Sequence, residues 1–190
     1  LAFSIVRSGI DNIPNTTELI DNQGNINFDK ITTFSVTDLA FFASYGRFLK
    51  QNELSSGGSI KVIRRRMGDF ANSWGFGGDL SVSYAKNTWL FAAVLRDASS
   101  TFNAWSFSLS DKMKEVFTLT GNVIPENSLE ISMPRLLLAT GKNFHFSPSF
   151  TLLVEGNIDM TFDKQRNTPI KTDVFSIDPH IGIELNFKKI

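Results

Sequence analysis

Cysteine is absent from all 190 residues. A disulfide framework, a thiolate zinc site and a cysteine nucleophile are therefore excluded. A surplus of either charge is also missing: Lys plus Arg is 19, Asp plus Glu is 19, and the formal net charge is +0. General nucleic-acid binding needs basic side chains in excess, so nucleic acid is not an expected partner. Long uncharged runs are lacking too. The longest, Ala98–Ser110, has 13 residues, and a spanning helix needs about 20, so no transmembrane helix is predicted. Leu1 opens directly in a strand-like run with no basic stretch before it. No signal peptide is predicted, and the chain reads as a mature or trimmed piece of something longer. Trp and Tyr number only 3 and 2, beside 18 Phe. The hydrophobic fraction of 42% is still too high for a disordered chain. The length suits a single domain over residues 1–190.

What the chain does have is period-2 alternation. In Trp74–Tyr84 the even positions Trp74, Phe76, Leu80, Val82 and Tyr84 are apolar, while the odd ones are Gly75, Gly77, Asp79, Ser81 and Ser83. Phe150–Phe162 repeats the theme, with Phe150, Leu152, Val154, Ile158 and Met160 opposite Thr151, Glu155, Asn157 and Asp159. In Ile177–Phe187 the apolar Ile181, Ile183, Leu185 and Phe187 oppose Asp178, His180, Glu184 and Asn186. Further strands are predicted over Ala2–Ser8, Phe34–Gly46, Ser59–Met67, Thr88–Asp97 and Leu129–Thr140, eight in all. Phase slips near Asp38 and at Pro134 predict bulges, since proline cannot donate to a ladder.

Strand length separates two all-β classes. Soluble strands average about 5–6 residues. Strands crossing a membrane need about 9–11 residues at a tilt near 45°. Trp74 and Tyr84 lie roughly 33 Å apart along a strand at ~3.3 Å per residue. A tilt of about 40° projects this to roughly 25 Å, the height of the apolar band of an outer-membrane barrel. The predicted fold is thus an antiparallel up-and-down transmembrane β-barrel of about eight strands, with a soluble β-sandwich as the competing class. Loop lengths point the same way. The first, fifth and seventh connections (Gly9–Thr33, Ala98–Ser128, Asp163–Ser176) are long, whereas the second, fourth and sixth (Arg47–Gly58, Ala85–Asn87, Gly141–Pro148) are shorter. In a meander the odd connections share one rim, and outer-membrane barrels have long loops outside and short turns inside.

No catalytic constellation emerges. Asp79, Glu155, Asn157, Asp159, His180 and Glu184 fall on polar faces and are predicted to point into a wet lumen, as parts of a hydrogen-bonded wall. Paired acids can do acid–base work, but a polar barrel interior needs such groups in any case. Neither His145 nor His180 has a metal-ligand spacing partner, and no metal or cofactor is predicted. Asp21–Asp29 (DNQGNINFD) resembles half of a calcium loop, yet aligning Gly24 puts Leu19 and Lys30 where carboxylates are required. Arg64, Arg65 and Arg66 are predicted to sit near a rim or pair across the lumen, not to bind phosphate. The GFGG of Gly75–Gly78 lacks the lysine and helix of a phosphate loop and fits a close-packed wall. The predicted loop Ser99–Asn127 holds Phe102, Trp105 and Phe107, expected to plug the mouth or to contact a protein partner.

Five segments in order carry a family resemblance: RSGIDNIPNT (Arg7–Thr16), RRMGDFANSWGFGGDL (Arg65–Leu80), LRDASSTFNAWSF (Leu95–Phe107), TGNVIPENSLEISMPRL (Thr120–Leu136), and DKQRNTPI with SIDPHIGIEL (Asp163–Leu185). Through them the chain resembles the PorV/PorQ proteins of the Bacteroidetes type IX secretion system, which are similar in fold to FadL-type outer-membrane barrels. The resemblance implies a barrel of roughly 14 strands in the bacterial outer membrane. It implies no catalytic residue, and long extracellular loops that dock secreted cargo or subunits of a translocon or attachment complex. The eight predicted strands are fewer than that, so terminal strands are expected to be missing. FadL-like transport of hydrophobic small molecules is the alternative function, with the phase break at Pro134 as a gap in the wall.

Overall fold

The computed structural model describes residues 1–20, 24–50, 53–163 and 167–187. The alternation becomes one antiparallel sheet. Its strands are β1 (Ala2–Asn15), β2 (Thr32–Lys50), β3 (Leu54–Met67), β4 (Ala71–Lys86), β5 (Trp89–Arg96), β6 (Thr101–Phe107), β7 (Ser128–Ser132), β8 (Arg135–Ser147), β9 (Phe150–Thr161), β10 (Ile170–Lys171) and β11 (Ser176–Phe187). One helix, α1 (Asp111–Leu119), interrupts them. Ser110 caps it by accepting a hydrogen bond from the Met113 amide, with Asp111 in the first turn. A 3-10 turn over Phe28–Lys30 is capped by Asn27.

Eight long ribbons underlie ten of the eleven strands, and β10 is a two-residue strand added to β11. β5 and β6 both pair with β4, through Leu80↔Leu95 below and Phe76↔Phe102 above. β7 and β8 continue alongside, through Phe102↔Ile131 and Arg96↔Arg135. Each pair is thus one ribbon with an interruption, at residues 97–100 in the first and at Met133–Pro134 in the second. The two interruptions are neighbours in the sheet. Asp97 and Ser100 have positive φ, 51° and 60°, which lets the chain step out of the ladder and back. Pro134 marks the second step, as its ring predicts. The slip predicted near Asp38 is not in the backbone: Asp38 pairs regularly with Ser8 and Arg65. The neighbouring Leu39, Ala40, Phe41 and Phe42 are apolar on both faces, which imitates a phase change. The register shift lies across from there, between Ile10 and Ile13 of β1, where Asn12 has φ 59°.

Connections alternate as the loop lengths predict. The short links, between β2 and β3, β4 and β5, and β8 and β9, share one rim. The opposite rim carries residues 16–31, 68–70, 108–127 with α1, and 162–175 with β10. The ribbons are also staggered. The row through the middle of β4 runs Tyr45–Gly58–Leu80–Leu95–Leu136–Met160–Ile177, so it crosses β4 near its centre but β11 at its second residue. No ladder joins β1 to β10 or β11, so the sheet does not close among the described residues.

Burial is inverted relative to a soluble domain. Apart from Gly75 and Gly141, the buried residues among those described are the polar Ser73, Thr101, Asn103, Asp159, Thr161 and Ser176 and one apolar side chain, Ala71. Large apolar side chains lie exposed, among them Phe76 at 58%, Leu80 at 57% and Ile181 at 83%.

Candidate functional site

Register assigns every strand residue to one of two faces. The polar face carries two charged clusters, one on each side of the interrupted ribbons. In the first, Lys61 of β3 reaches across to Asp79 at 2.9 Å and Asp97 at 2.6 Å. Asp79 also accepts from the Asp97 amide at 2.9 Å and the Ser59 hydroxyl at 3.3 Å, and Thr101 donates to the Asp97 carboxylate. Lys61 therefore ties the end of β5 to β3, two ribbons away. The glycines of β4 make room for this. A Cβ at Gly77 would run into the Thr101 hydroxyl and the Lys61 side chain, and one at Gly75 would run into the Asn103 amide. The sequence GFGG is a notch that seats β6 side chains against the β4 backbone.

In the second cluster, Arg135 at the start of β8 makes a two-pronged ion pair with Asp159 of β9. Asp159 is 6% exposed, and Thr161 and Ser176 are buried beside it as a cross-strand pair. Nearer the long-loop rim, Arg65 lies between Asp38 at 3.7 Å and Glu130 at 3.4 Å, and the Trp105 indole donates to Glu130 at 2.9 Å.

The six polar residues singled out from the sequence share this face. Asp79 and Asp159 anchor the two clusters. Asn157 donates to Glu155 at 2.6 Å, His180 sits 3.6 Å from Asp178, and Asn186 donates to Glu184 at 2.7 Å. They lie along a belt and do not converge on one point. Lys61, Asp97, Asn103 and Arg135 were missed; the odd-position parity of β3 and the residue after Pro134 were the signals that pointed to Lys61 and Arg135. Several of the buried polar groups, the Ser73, Thr161 and Ser176 hydroxyls and the Asn103 amide, have no hydrogen-bond partner among the described residues.

Phe102, Trp105 and Phe107 are corrected. They belong to β6, within the sheet, and not to a loop. Their alternation continues that of β5 after residues 97–100, a step that looks like a strand end in the sequence. Phe102 joins the apolar face; Trp105 and Phe107 stack at 6.0 Å on the polar one. The loop proper is 108–127, where Leu119 and Val123 are exposed. A cleft of about 660 Å³ opens on this rim between Phe34, Phe70, Arg66, Ser108 and Met113. Of the calcium-like segment, Asp21, Asn22 and Gln23 lie outside the described residues.

The apolar face is continuous over all eight ribbons and edged with aromatics. At the short-connection rim, Phe144, Phe146, Phe150 and Phe187 stack in series at 6.5, 5.3 and 4.8 Å. Lys142 lies over Trp89 at 4.7 Å, and Trp89 stacks on Phe91. Toward the other rim, Arg64 covers Trp74 at 4.9 Å. No family model, curated protein or solved structure matches the chain.

Proposed function

We propose that the chain is part of the wall of a bacterial outer-membrane β-barrel, non-enzymatic, whose long-loop rim docks polypeptides: secreted cargo, or subunits of a translocon or attachment complex, as in the PorV/PorQ proteins it resembles. The observation that carries this is the inverted burial: hydroxyls, amides and ion pairs inside, and large apolar side chains outside. A sandwich covers its apolar face with a second sheet, whereas Leu80, Val82 and Ile158 here stay exposed in a single sheet. Lipid is the solvent that makes such a face favourable, and a water-filled lumen satisfies the unpartnered polar groups. In lipid the free edges of β1 and β11 must be paired with further strands.

Docking is supported by the long-loop rim, which exposes Phe28, Leu119, Val123 and Val174 to solvent. The test is co-isolation with outer-membrane secretion-system subunits from detergent-extracted envelopes. Replacing Leu119, Val123 and Ile124 by Ser is expected to reduce recovery at least about tenfold, less than the loss of one hot-spot side chain; undiminished recovery would remove this rim as the contact. A second reading, passage of hydrophobic small molecules, is favoured by the paired interruptions at residues 97–100 and Met133–Pro134. Unchanged uptake of a fluorescent fatty acid on producing the protein would end it.

A further inference from the structure

Charge on the apolar face has one sign. In the regular ladders that face carries Arg7, Arg64 and Arg66 toward the long-loop rim and Arg47, Lys50, Lys86 and Lys142 toward the short one, with no Asp or Glu on the same face of those ladders. The acids that pair with them, Asp69 of the β3–β4 turn with Arg66 and Glu53 of the β2–β3 link with Lys50, lie in turns outside those ladders. The RRR run is therefore divided: Arg65 turns to Asp38 and Glu130, and its two neighbours turn the other way.

Arg7 and Arg64 flank Leu39 in one ladder row, Arg7–Leu39–Arg64–Trp74. Two strand spacings put their Cα atoms about 10 Å apart, and Arg66 stands about 6.6 Å along β3 from Arg64. Arginine side chains converge on one anion over such spans. Arg64 is held by Asn72 at 2.8 Å, the Ser73 carbonyl at 3.2 Å and the Trp74 ring. Arg66 is exposed and shares its charge with Asp69. Below the row the face turns wholly apolar with Phe3, Ile5, Phe41, Val62 and Phe76.

Building on the membrane reading, we propose that Arg7, Arg64 and Arg66 form a binding site for the phosphate of a lipid headgroup in the leaflet at the long-loop end. Guanidinium forks match phosphate oxygens, and the apolar field beneath accepts the acyl chains. A lipid meets both halves at once; free phosphate meets one.

The chain together with the strands that pair its free edges, reconstituted into phosphatidylcholine vesicles and into the same vesicles doped with phosphatidylglycerol, tests this by native mass spectrometry of retained lipid. Wild type is expected to retain phosphatidylglycerol preferentially. R7Q/R64Q/R66Q is expected to lose about fivefold of that preference per arginine. R7K/R64K/R66K keeps most of it, and R47Q/K86Q, at the other rim, keeps it all. No preference in wild type, an undiminished preference in the glutamine variant, or loss only in R47Q/K86Q each overturns the site. Inorganic phosphate displacing the lipid overturns it as a lipid site and makes it one for soluble anions. Failure to insert with both edges paired overturns the membrane reading itself; equal insertion without selectivity overturns the site alone.

Discussion

Gly77 is the glycine at which the sheet has least room for a side chain. Its missing Cβ is the space that Thr101 and Lys61 occupy. Gly77→Ala is expected to cost about 1–3 kcal/mol of stability by overpacking. Adding Thr101→Gly is expected to restore part of it, so the double-mutant cycle in urea unfolding should show favourable coupling. Asp159 makes a different demand. It is a buried carboxylate whose charge is matched by Arg135. Asp159→Ala removes the carboxylate that takes both prongs of the Arg135 guanidinium, a side chain about a third exposed, and a loss of about 1–2 kcal/mol is expected. Equal unfolding midpoints for wild type and variant would show that the pair contributes nothing.

At the scale of elements, the strands were readable because alternation is a direct imprint of a two-faced sheet. Trp74–Tyr84, Phe150–Thr161 and Ile177–Phe187 each keep their faces in the structure, and Phe162 falls just beyond its strand. The polar set from Asp79 to Glu184 was legible for the same reason. β6 was not legible, because Asp97, Ser99 and Ser100 look like a loop entrance, and nothing local says that the chain returns to the same partner strand. The Lys61–Asp97 contact spans three ribbons and has no local signature either. The two faces also make opposite predictions for neighbours in β4. Leu80→Arg, on the apolar face, is expected to cost about 2–4 kcal/mol on folding into vesicles. Ser81→Arg, one residue on and facing the polar side, is expected to cost under about 1 kcal/mol. Reversed or equal penalties, read from denaturant titrations in the same lipid, would invalidate the assignment of faces.

For the whole molecule, the three tryptophans test the proposal that the apolar surface meets lipid. Trp74 and Trp89 stand on the apolar face near opposite rims, and Trp105 stands on the polar face bonded to Glu130. Single-tryptophan variants in vesicles of brominated lipid should show strong quenching for Trp74 and Trp89 and little for Trp105. Quenching of Trp105 alone would turn the wall inside out. The stagger of the ribbons adds a geometric consequence. A hydrogen-bonded row that leaves β4 at Leu80 reaches β11 at Ile177, beside the long-loop rim. Ladder neighbours are then not neighbours in depth: in a bilayer Ile177 would approach the headgroups while Leu80 sits among chain ends. A depth-graded quencher carried along that single row should therefore trace a slope, with each successive ribbon reporting a shallower position than the last.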